Sequence, residues 1–265
     1  MPEPFPAGPL CTRKSLTPQL HSLGVEPGDI LLVHSSLSSL GWVNGGAEAV
    51  VLALLDVLGE TGTLVVPTQS SDNSDPANWQ HPPVPEDWKA TIRETMLPYN
   101  PRTTGTRKMG VIAETVRTWP SAVRSLHPQT SFTAVGLKEE ELMDGHVLDC
   151  ALGERSPLKR LEEVNARVLL LGVGFDKCTA FHLAEYRLPG AVVEENSFAV
   201  MGEEGRVWMT VNDVAVSDEG FEELGAEFER AGSVKRGNIG GADAKLFGLA
   251  DAVEFSQRWL MLKRS

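Results

Sequence analysis

The chain of 265 residues has few cysteines and no long apolar run. Cys11, Cys150 and Cys178 are odd in number and widely spaced, which excludes both zinc-finger spacing and a disulfide framework. No run of about 18 apolar residues is present, so the sequence predicts no membrane-spanning helix. The proline-rich N-terminus also lacks the basic and then apolar layout of a signal peptide. Together these absences predict a protein of the reducing cytoplasm.

Positive charge is also scarce. The 24 Lys and Arg residues are outnumbered by 36 Asp and Glu residues, and the formal net charge is −12 at pH 7. Nucleic-acid phosphates require basic patches, so this balance predicts no nucleic-acid partner. An acidic chain attracts cationic small molecules. Simple solubility accounts for the same excess of acidic residues equally well.

The motifs of several common enzyme classes are absent. No Walker motif is present and no G-x-G-x-x-G follows a predicted strand, which excludes the ordinary nucleotide-binding folds. The lack of a G-x-S-x-G elbow disfavours a serine hydrolase. Metal-dependent hydrolysis is a rival hypothesis, but no H-E-x-x-H motif or cysteine cluster supports it, and we predict no metal site. Its candidate ligands would be His34, His81, His127 and His182.

Predicted strands and helices alternate along the chain. The alternation predicts an α/β fold with one layered domain over residues 1–265, in which helices flank a mixed, mostly parallel sheet. Prolines interrupt regular structure from Thr68 to Met109, and we predict a long Pro-rich loop insertion there with a functional role. The strands are expected at 29–33, 63–66, 132–135, 168–171, 191–193, 207–211 and 233–237. The helices are expected at 14–23, 46–58, 110–116, 157–163, 219–230 and 242–262.

The segment 168–185 carries the most specific chemical signal. An apolar strand is followed by glycines and then by a helix, on which His182 and Glu185 stand three residues apart and share a face. Thr179 lies one turn earlier on the same side. An imidazole beside a carboxylate suits general-base catalysis, because the carboxylate fixes the tautomer and stabilises the imidazolium. The alternative is a capped surface helix whose His and Glu face water. Cys178 is either a reactive thiol or a small buried residue.

A second segment, Val33–Gly41, leaves the first predicted strand through small polar residues. Ser35 and Ser36 with their backbone N–H groups can form an anion-binding nest near a helix start, which suits a pyrophosphate. A Ser-rich helix cap explains the same residues. The sequence alone leaves both interpretations open.

Six blocks of the chain, in order, resemble the aminoglycoside 3-N-acetyltransferase family, which is distinct from the common GNAT acetyltransferases. The resemblance runs from about Lys14 to Arg258 and implies acetyl transfer from acetyl-CoA, as co-substrate, to the 3-amino group of an aminoglycoside, giving antibiotic resistance. The alternative is a family member that acts on another small amine. The blocks are LLVHSSLSSLGWVNGG (31–46), GTLVVPTQSSDNSDPANW (62–79), TRKMGVIAE (106–114), SLHPQTSF (125–132), GERSPL (153–158) and LLLGVGFDKCTAFHLAEYR (169–187).

The resemblance also implies roles for individual residues. It makes His182 the catalytic base, supported by Glu185 or Asp72, with Thr179 as an oxyanion donor. The implied acetyl-CoA contacts are Ser35, Ser36, Thr106, Arg107, Met109, Gly110, Val111, Ser131 and Phe132. The implied contacts with a small cationic amine are Asp72, Trp79, Glu185 and Asp213. Asn212 stands near the position of a family glutamate, which leaves Asp213 as the acidic residue there.

A non-enzymatic module that binds CoA or another ligand is the remaining rival hypothesis. The intact pair of His182 and Glu185 argues against it. The sequence leaves the oligomeric state open between a monomer and a homodimer.

Overall fold

The structure is a computed structural model that describes residues 8–264. Within this range, strands and helices alternate over most of the length. The strands are β1 (Leu10–Cys11), β2 (Ile30–Ser35), β3 (Trp42–Val43), β4 (Thr63–Pro67), β5 (Val123–Arg124), β6 (Phe132–Gly136), β7 (Arg167–Leu171), β8 (Val193–Gly202), β9 (Gly205–Val214), β10 (Lys235–Ile239) and β11 (Ala242–Gly248). The helices are α1 (Arg13–Leu23), α2 (Gly46–Leu58), α3 (Glu86–Thr95), α4 (Gly110–Arg117), α5 (Glu139–Met143), α6 (Pro157–Glu163), α7 (Ala180–Glu185), α8 (Phe221–Arg230) and α9 (Leu249–Lys263).

A seven-stranded sheet has the strand order β10-β11-β7-β2-β4-β6-β5. The expected α/β architecture, a mixed sheet flanked by helices, is confirmed. Parallel pairing is found at the centre, where β2 lies between β7 and β4. The outer pairings are antiparallel. One reason is that β10 and β11 are joined by the tight turn at Gly240 and Gly241, and a hairpin pairs its strands antiparallel.

The central strands are buried on both faces. In β2, Leu31 and Val33 pack beneath α1, α2 and α4, whereas Leu32 points to the opposite face and packs beneath α5 to α9. This alternation follows from the period of two residues in a strand. It explains why β2, β4 and β7 read as continuous apolar runs in the sequence.

Three predicted boundaries are wrong. Residues 86–95 of the expected Pro-rich loop form α3, in which no residue is buried, and the prolines on both sides of this helix hid it in the sequence. The expected helix 242–262 is two elements, β11 and α9, which meet at Gly248. Both are rich in apolar residues, so the sequence pattern did not separate them. Of the strand expected at 191–193, only Val193 lies in a strand, as the first residue of β8. The strand expected at 207–211 lies inside β9, which pairs with β8 over ten residues.

The carboxyl ends of β2 and β7 meet at one edge of the sheet, the usual place of ligands in α/β folds. Gly172, directly after β7, has φ +71°, and a Cβ there would lie 2.5 Å from Cβ of Ser39. Glycine therefore allows the chain to leave β7 close beside the segment that follows β2. This turn carries Thr179 and α7 to the same edge.

The packing of α8 against residues 175–177 supports this edge and generates a stability prediction. A Cβ at Gly225, inside α8, would lie 2.0 Å from Cγ of the buried Phe175. We expect Gly225→Ala to lower the free energy of unfolding by about 2 kcal/mol, because the overlap outweighs the better helix propensity of alanine. Gly105→Ala, at an exposed position with no atom near its Cβ, is the matched control. Equal urea midpoints for the two variants would contradict the prediction.

Candidate active site

A cleft of about 860 Å³ opens at the carboxyl ends of β2 and β7. Its walls come from the end of β2 with the residues after it, the end of β4, the start of α4, the turn into α7 with His182, and Asp218 before α8. The polar and charged residues in its lining include His34, Ser35, Ser36, Ser38, Gln69, Lys108, Asp176, Lys177, Thr179, His182 and Asp218. The volume is that of a pocket for a small molecule or cofactor.

Helix α7 presents His182 to this cleft because its other faces are apolar. Ala180, Phe181, Leu183 and Ala184 are buried in the core cluster beneath α9 and α8. Only the side that carries His182 is left to line the cleft, and that side chain is 14% exposed. The ring is also packed against Phe221, at 4.8 Å between ring centroids, which restricts its orientation.

The buried carboxylate of Glu185 makes a hydrogen bond to the imidazole of His182. Nδ1 of His182 lies 2.6 Å from Oε2 of Glu185, whose side chain is only 2% exposed. The alternative of a surface helix whose His and Glu face water is therefore wrong. The other carboxylate oxygen accepts from the backbone N–H of Ser217 and from the guanidinium of Arg264. Because Nδ1 is engaged, Nε2 is the ring nitrogen available to a ligand.

Thr179 is buried beside His34, a residue that the sequence placed only among candidate metal ligands. Oγ1 of Thr179 lies 3.3 Å from Nε2 of His34, and both residues line the cleft. Burial, with a smaller contribution from the neighbouring His182, lowers the pKa of His34 to about 3. His34 is thus a neutral hydrogen-bonding group next to the threonine hydroxyl. The sequence could have indicated this role for His34, because it lies directly before Ser35 at the end of a strand.

Ser35 and Ser36 lie in the cleft wall as expected, but their hydrogen bonds differ from both predicted arrangements. The backbone N–H of Ser36 donates to the carbonyl of Leu171 and is not free for an anion. The Ser36 side chain makes no capping hydrogen bond to the short helix at Leu37–Leu40, so the interpretation as a Ser-rich cap is wrong. Its hydroxyl lies 3.1 Å from that of Ser38. Hydroxyl groups are therefore what this turn offers to a ligand.

The start of α4 supplies the opposite wall. Met109, Gly110 and Val111 line the cleft, as does Lys108, which the sequence reasoning did not select although it lies within the same block. Lys108 has φ +58°, an unusual value for a residue with a side chain. Thr106 lies outside the cleft lining, and its backbone N–H donates to Glu114.

Asp72 and Trp79 lie in a neighbouring hollow of about 610 Å³, and Lys108 lines both spaces. The exposed Asp72 carboxylate is 3.2 Å from Nε of Arg107, so the hollow contains a cation beside its carboxylate. Nε1 of Trp79 donates to Oγ of Ser74, which anchors the loop. The structure therefore places Asp72, Trp79 and Arg107 together, apart from His182.

Three predicted contact residues, besides Glu185 behind His182, are buried and line neither the cleft nor the neighbouring hollow. Ser131 and Phe132 are fully buried, and Oγ of Ser131 bonds Thr68 and Arg124, so neither can touch a ligand. Asp213 is 6% exposed, and its carboxylate accepts from the backbone of Ala151 and the hydroxyl of Tyr186. These three assignments were wrong because the sequence does not show which side of a strand or hairpin faces the cleft.

The remaining candidate groups are structural. Burial raises the pKa of Cys178 to about 12, which argues against a reactive thiol. Burial lowers the pKa of His127 to about 4 and that of His146 to about 3. Nε2 of His127 donates to the carbonyl of Leu148, and Nε2 of His146 donates to that of Ala151. In the described residues, no three His, Cys, Asp or Glu side chains form a group that could hold a metal ion. No helix among residues 8–264 is long and apolar enough to cross a membrane.

The three buried histidines predict how stability depends on pH. His34, His127 and His146 are neutral in the native state down to about pH 4, whereas the unfolded chain protonates them near 6.5. The free energy of unfolding should therefore fall as pH drops below about 6.5. Between pH 6 and 5, the free energy of unfolding of His34→Gln should change less steeply with pH than that of the wild type, by about 1.4 kcal/mol per pH unit. An unchanged slope in urea titrations, equal to that of the exposed control His21→Gln, would contradict this.

Comparison with known proteins gives consistent matches over nearly the whole chain. Residues 32–261 match the family model described as aminoglycoside 3-N-acetyltransferase. The SPbeta prophage-derived aminoglycoside N(3')-acetyltransferase-like protein YokD of Bacillus subtilis is 45% identical over 94% of this chain and 92% of its own. Its crystal structure has a TM-score of 0.94, covering 96% of this chain and 94% of that chain.

Two further matches are more distant. Aminoglycoside N(3)-acetyltransferase III of Pseudomonas aeruginosa is 33% identical over 94% of this chain and 93% of that protein. The structure of AAC-IIIb in binary complex with CoASH has a TM-score of 0.85 and 30% identity, covering 96% of this chain and 98% of that chain.

Proposed function

Because the chain belongs to the aminoglycoside 3-N-acetyltransferase family, we propose that it transfers the acetyl group of acetyl-CoA directly to the 3-amino group of an aminoglycoside. The observation that carries the proposal is the pair of His182 and buried Glu185 at the wall of the large cleft. The resemblance expected from the six sequence blocks is confirmed. In this proposal the protein confers resistance on its host by modifying the antibiotic.

His182 acts as the general base. A protonated amine has no lone pair with which to attack a thioester, so the substrate must lose a proton. Nε2 of His182 accepts that proton, while Glu185 holds Nδ1 and stabilises the resulting imidazolium. The burial of Glu185 keeps water from competing for its oxygens.

Thr179 supplies a hydroxyl to the same cleft as His182. When the amine adds to the thioester, negative charge develops on the carbonyl oxygen, and preformed donors lower the barrier. The adduct then breaks its C–S bond and releases CoA, whose sulfur takes up the proton held by His182. Thr179 lines the cleft one helical turn from His182, and neutral His34 orients its hydroxyl. This arrangement supports a role for Thr179 as an oxyanion donor.

The cleft fits an extended acyl thioester such as acetyl-CoA. Met109 and Val111 form an apolar wall for the pantetheine arm, and the hydroxyls after β2 provide donors for phosphate oxygens. Lys108 adds positive charge at the same cleft, whereas Lys177 is paired with Asp176 at 2.7 Å. A molecule bound along this wall would present its acetyl thioester near His182 and Thr179.

The amine would enter from the hollow that contains Asp72 and Trp79. Asp218 also lines the cleft and supplies negative charge for an ammonium group. Two ion pairs argue against a polycationic substrate. Arg107 lies beside Asp72, and Arg93 pairs with Asp75 at 2.7 Å. This internal compensation supports the second candidate function, acetylation of another small amine with fewer charges and without a resistance role.

We expect His182→Ala to lower kcat by about 10²–10⁴-fold, because the general base is removed. The affinity for acetyl-CoA should stay within about twofold, since the base acts on the amine. Thiol release measures turnover and calorimetry measures binding. His21→Ala, at an exposed position in α1, is the control. Turnover of His182→Ala at the wild-type rate would overturn the assignment.

A screen of amine acceptors separates the two candidate functions. We expect turnover with aminoglycosides that carry a free 3-amine and none with analogues blocked there. Asp72→Asn should raise KM for these acceptors by about tenfold, because one charge-assisted contact of about 1.5 kcal/mol is lost. A neutral monoamine acceptor should be little affected. Turnover only with another small amine would favour the second candidate.

A further inference from the structure

We propose that Arg264 is a positioning residue for the candidate general base, an inference that rests on the proposed function. Arg264 directly follows α9 and lies far from His182 in the sequence. Its guanidinium bonds the carboxylate of Glu185, whose other oxygen bonds the imidazole of His182. The three side chains thus form one continuous chain of hydrogen bonds that ends at the cleft.

The charge of Arg264 has a specific task because Glu185 is buried. A carboxylate that is 2% exposed is costly unless charged or strongly polar groups surround it. The partners of Glu185 are the imidazole, the backbone N–H of Ser217 and this guanidinium. Of these, only Arg264 carries a permanent positive charge. It therefore supplies the positive charge that a buried carboxylate needs, without drawing that charge from His182.

The same guanidinium fixes a short stretch of the cleft wall. Nη2 of Arg264 lies 3.1 Å from the carbonyl of Ser217 and 3.3 Å from that of Glu219. Between these two residues stands Asp218, which lines the cleft. One side chain thus holds both the carboxylate behind the base and the segment that presents another carboxylate to the ligand.

Removal of this charge should affect proton transfer rather than binding of the acyl donor. The other ionisable groups that line the cleft with His182 are His34 from β2, Lys108 before α4, Asp176 and Lys177 before α7, and Asp218 before α8. Without Arg264, the surroundings of the imidazole become more negative by one charge. A more negative environment favours the imidazolium, so a smaller share of the enzyme holds the free base at a given pH.

The test compares Arg264→Gln with Arg264→Lys and with Lys263→Gln. Lys263 is the matched control, because it lies next to Arg264 and carries the same charge but pairs with Glu223 at the surface. At neutral pH we expect Arg264→Gln to lower kcat by about tenfold, with KM for acetyl-CoA unchanged, and to move the acid side of the kcat/KM profile to higher pH. Arg264→Lys should recover most of kcat, and Lys263→Gln should match the wild type.

A second readout does not require turnover. In NMR titrations of histidine-labelled protein, with the His182 signal assigned by its absence from His182→Ala, the imidazole should keep its proton to higher pH in Arg264→Gln than in the wild type. An identical titration in both proteins would overturn the role of Arg264. A shifted titration in a protein that acetylates no amine would instead overturn the proposed function. Loss of kcat that Arg264→Lys does not recover, with an unshifted profile, would reduce Arg264 to a structural residue.

Discussion

The hydrogen bond between His182 and Glu185 is the interaction on which the rest of the site depends. At 2.6 Å it joins an imidazole at the cleft wall to a carboxylate inside the protein. A buried carboxylate is stable only where its other oxygen also accepts hydrogen bonds. Here the N–H of Ser217 and the guanidinium of Arg264 donate them. Elements far apart in the chain, α7, the segment before α8 and the end of α9, are therefore held together behind one ring nitrogen.

The parallel centre of the sheet explains why the chemistry lies where it does. Strands β2 and β7 run side by side, so His34 and Ser35 at the end of one strand meet the turn that follows the other. The small size and positive φ of Gly172 allow this close approach, and the apolar faces of α7 leave a single polar side for the cleft. The result is a threonine hydroxyl and an imidazole beside a neutral histidine. Each is positioned by buried packing and not by a flexible loop.

The hollow that contains Asp72 and Trp79 differs from the cleft because ion pairs engage the carboxylates of its loop. Its loop carries carboxylates, but Asp75 is engaged by Arg93 and Asp72 lies beside Arg107. These pairs are partly exposed, so an arriving ammonium group can compete with a guanidinium at modest cost. In the proposed function, the balance of charge around Asp72, more than the net charge of −12, sets how many positive charges the amine substrate carries.

The sequence alone determined the alternation of strands and helices, the buried runs of β2, β4 and β7, and the presence of His182, Glu185 and Thr179 on one strand–turn–helix unit. These features are local, because periodicity, glycines and a spacing of three residues act within one segment. Tertiary structure decided which groups meet. It placed His34 against Thr179 and Arg264 against Glu185, and it buried Ser131, Phe132 and Asp213 away from the cleft. It also formed α3 between the prolines of the expected loop. Contacts between distant segments depend on strand register and on the packing of helices across the sheet, which no local pattern in one sequence encodes.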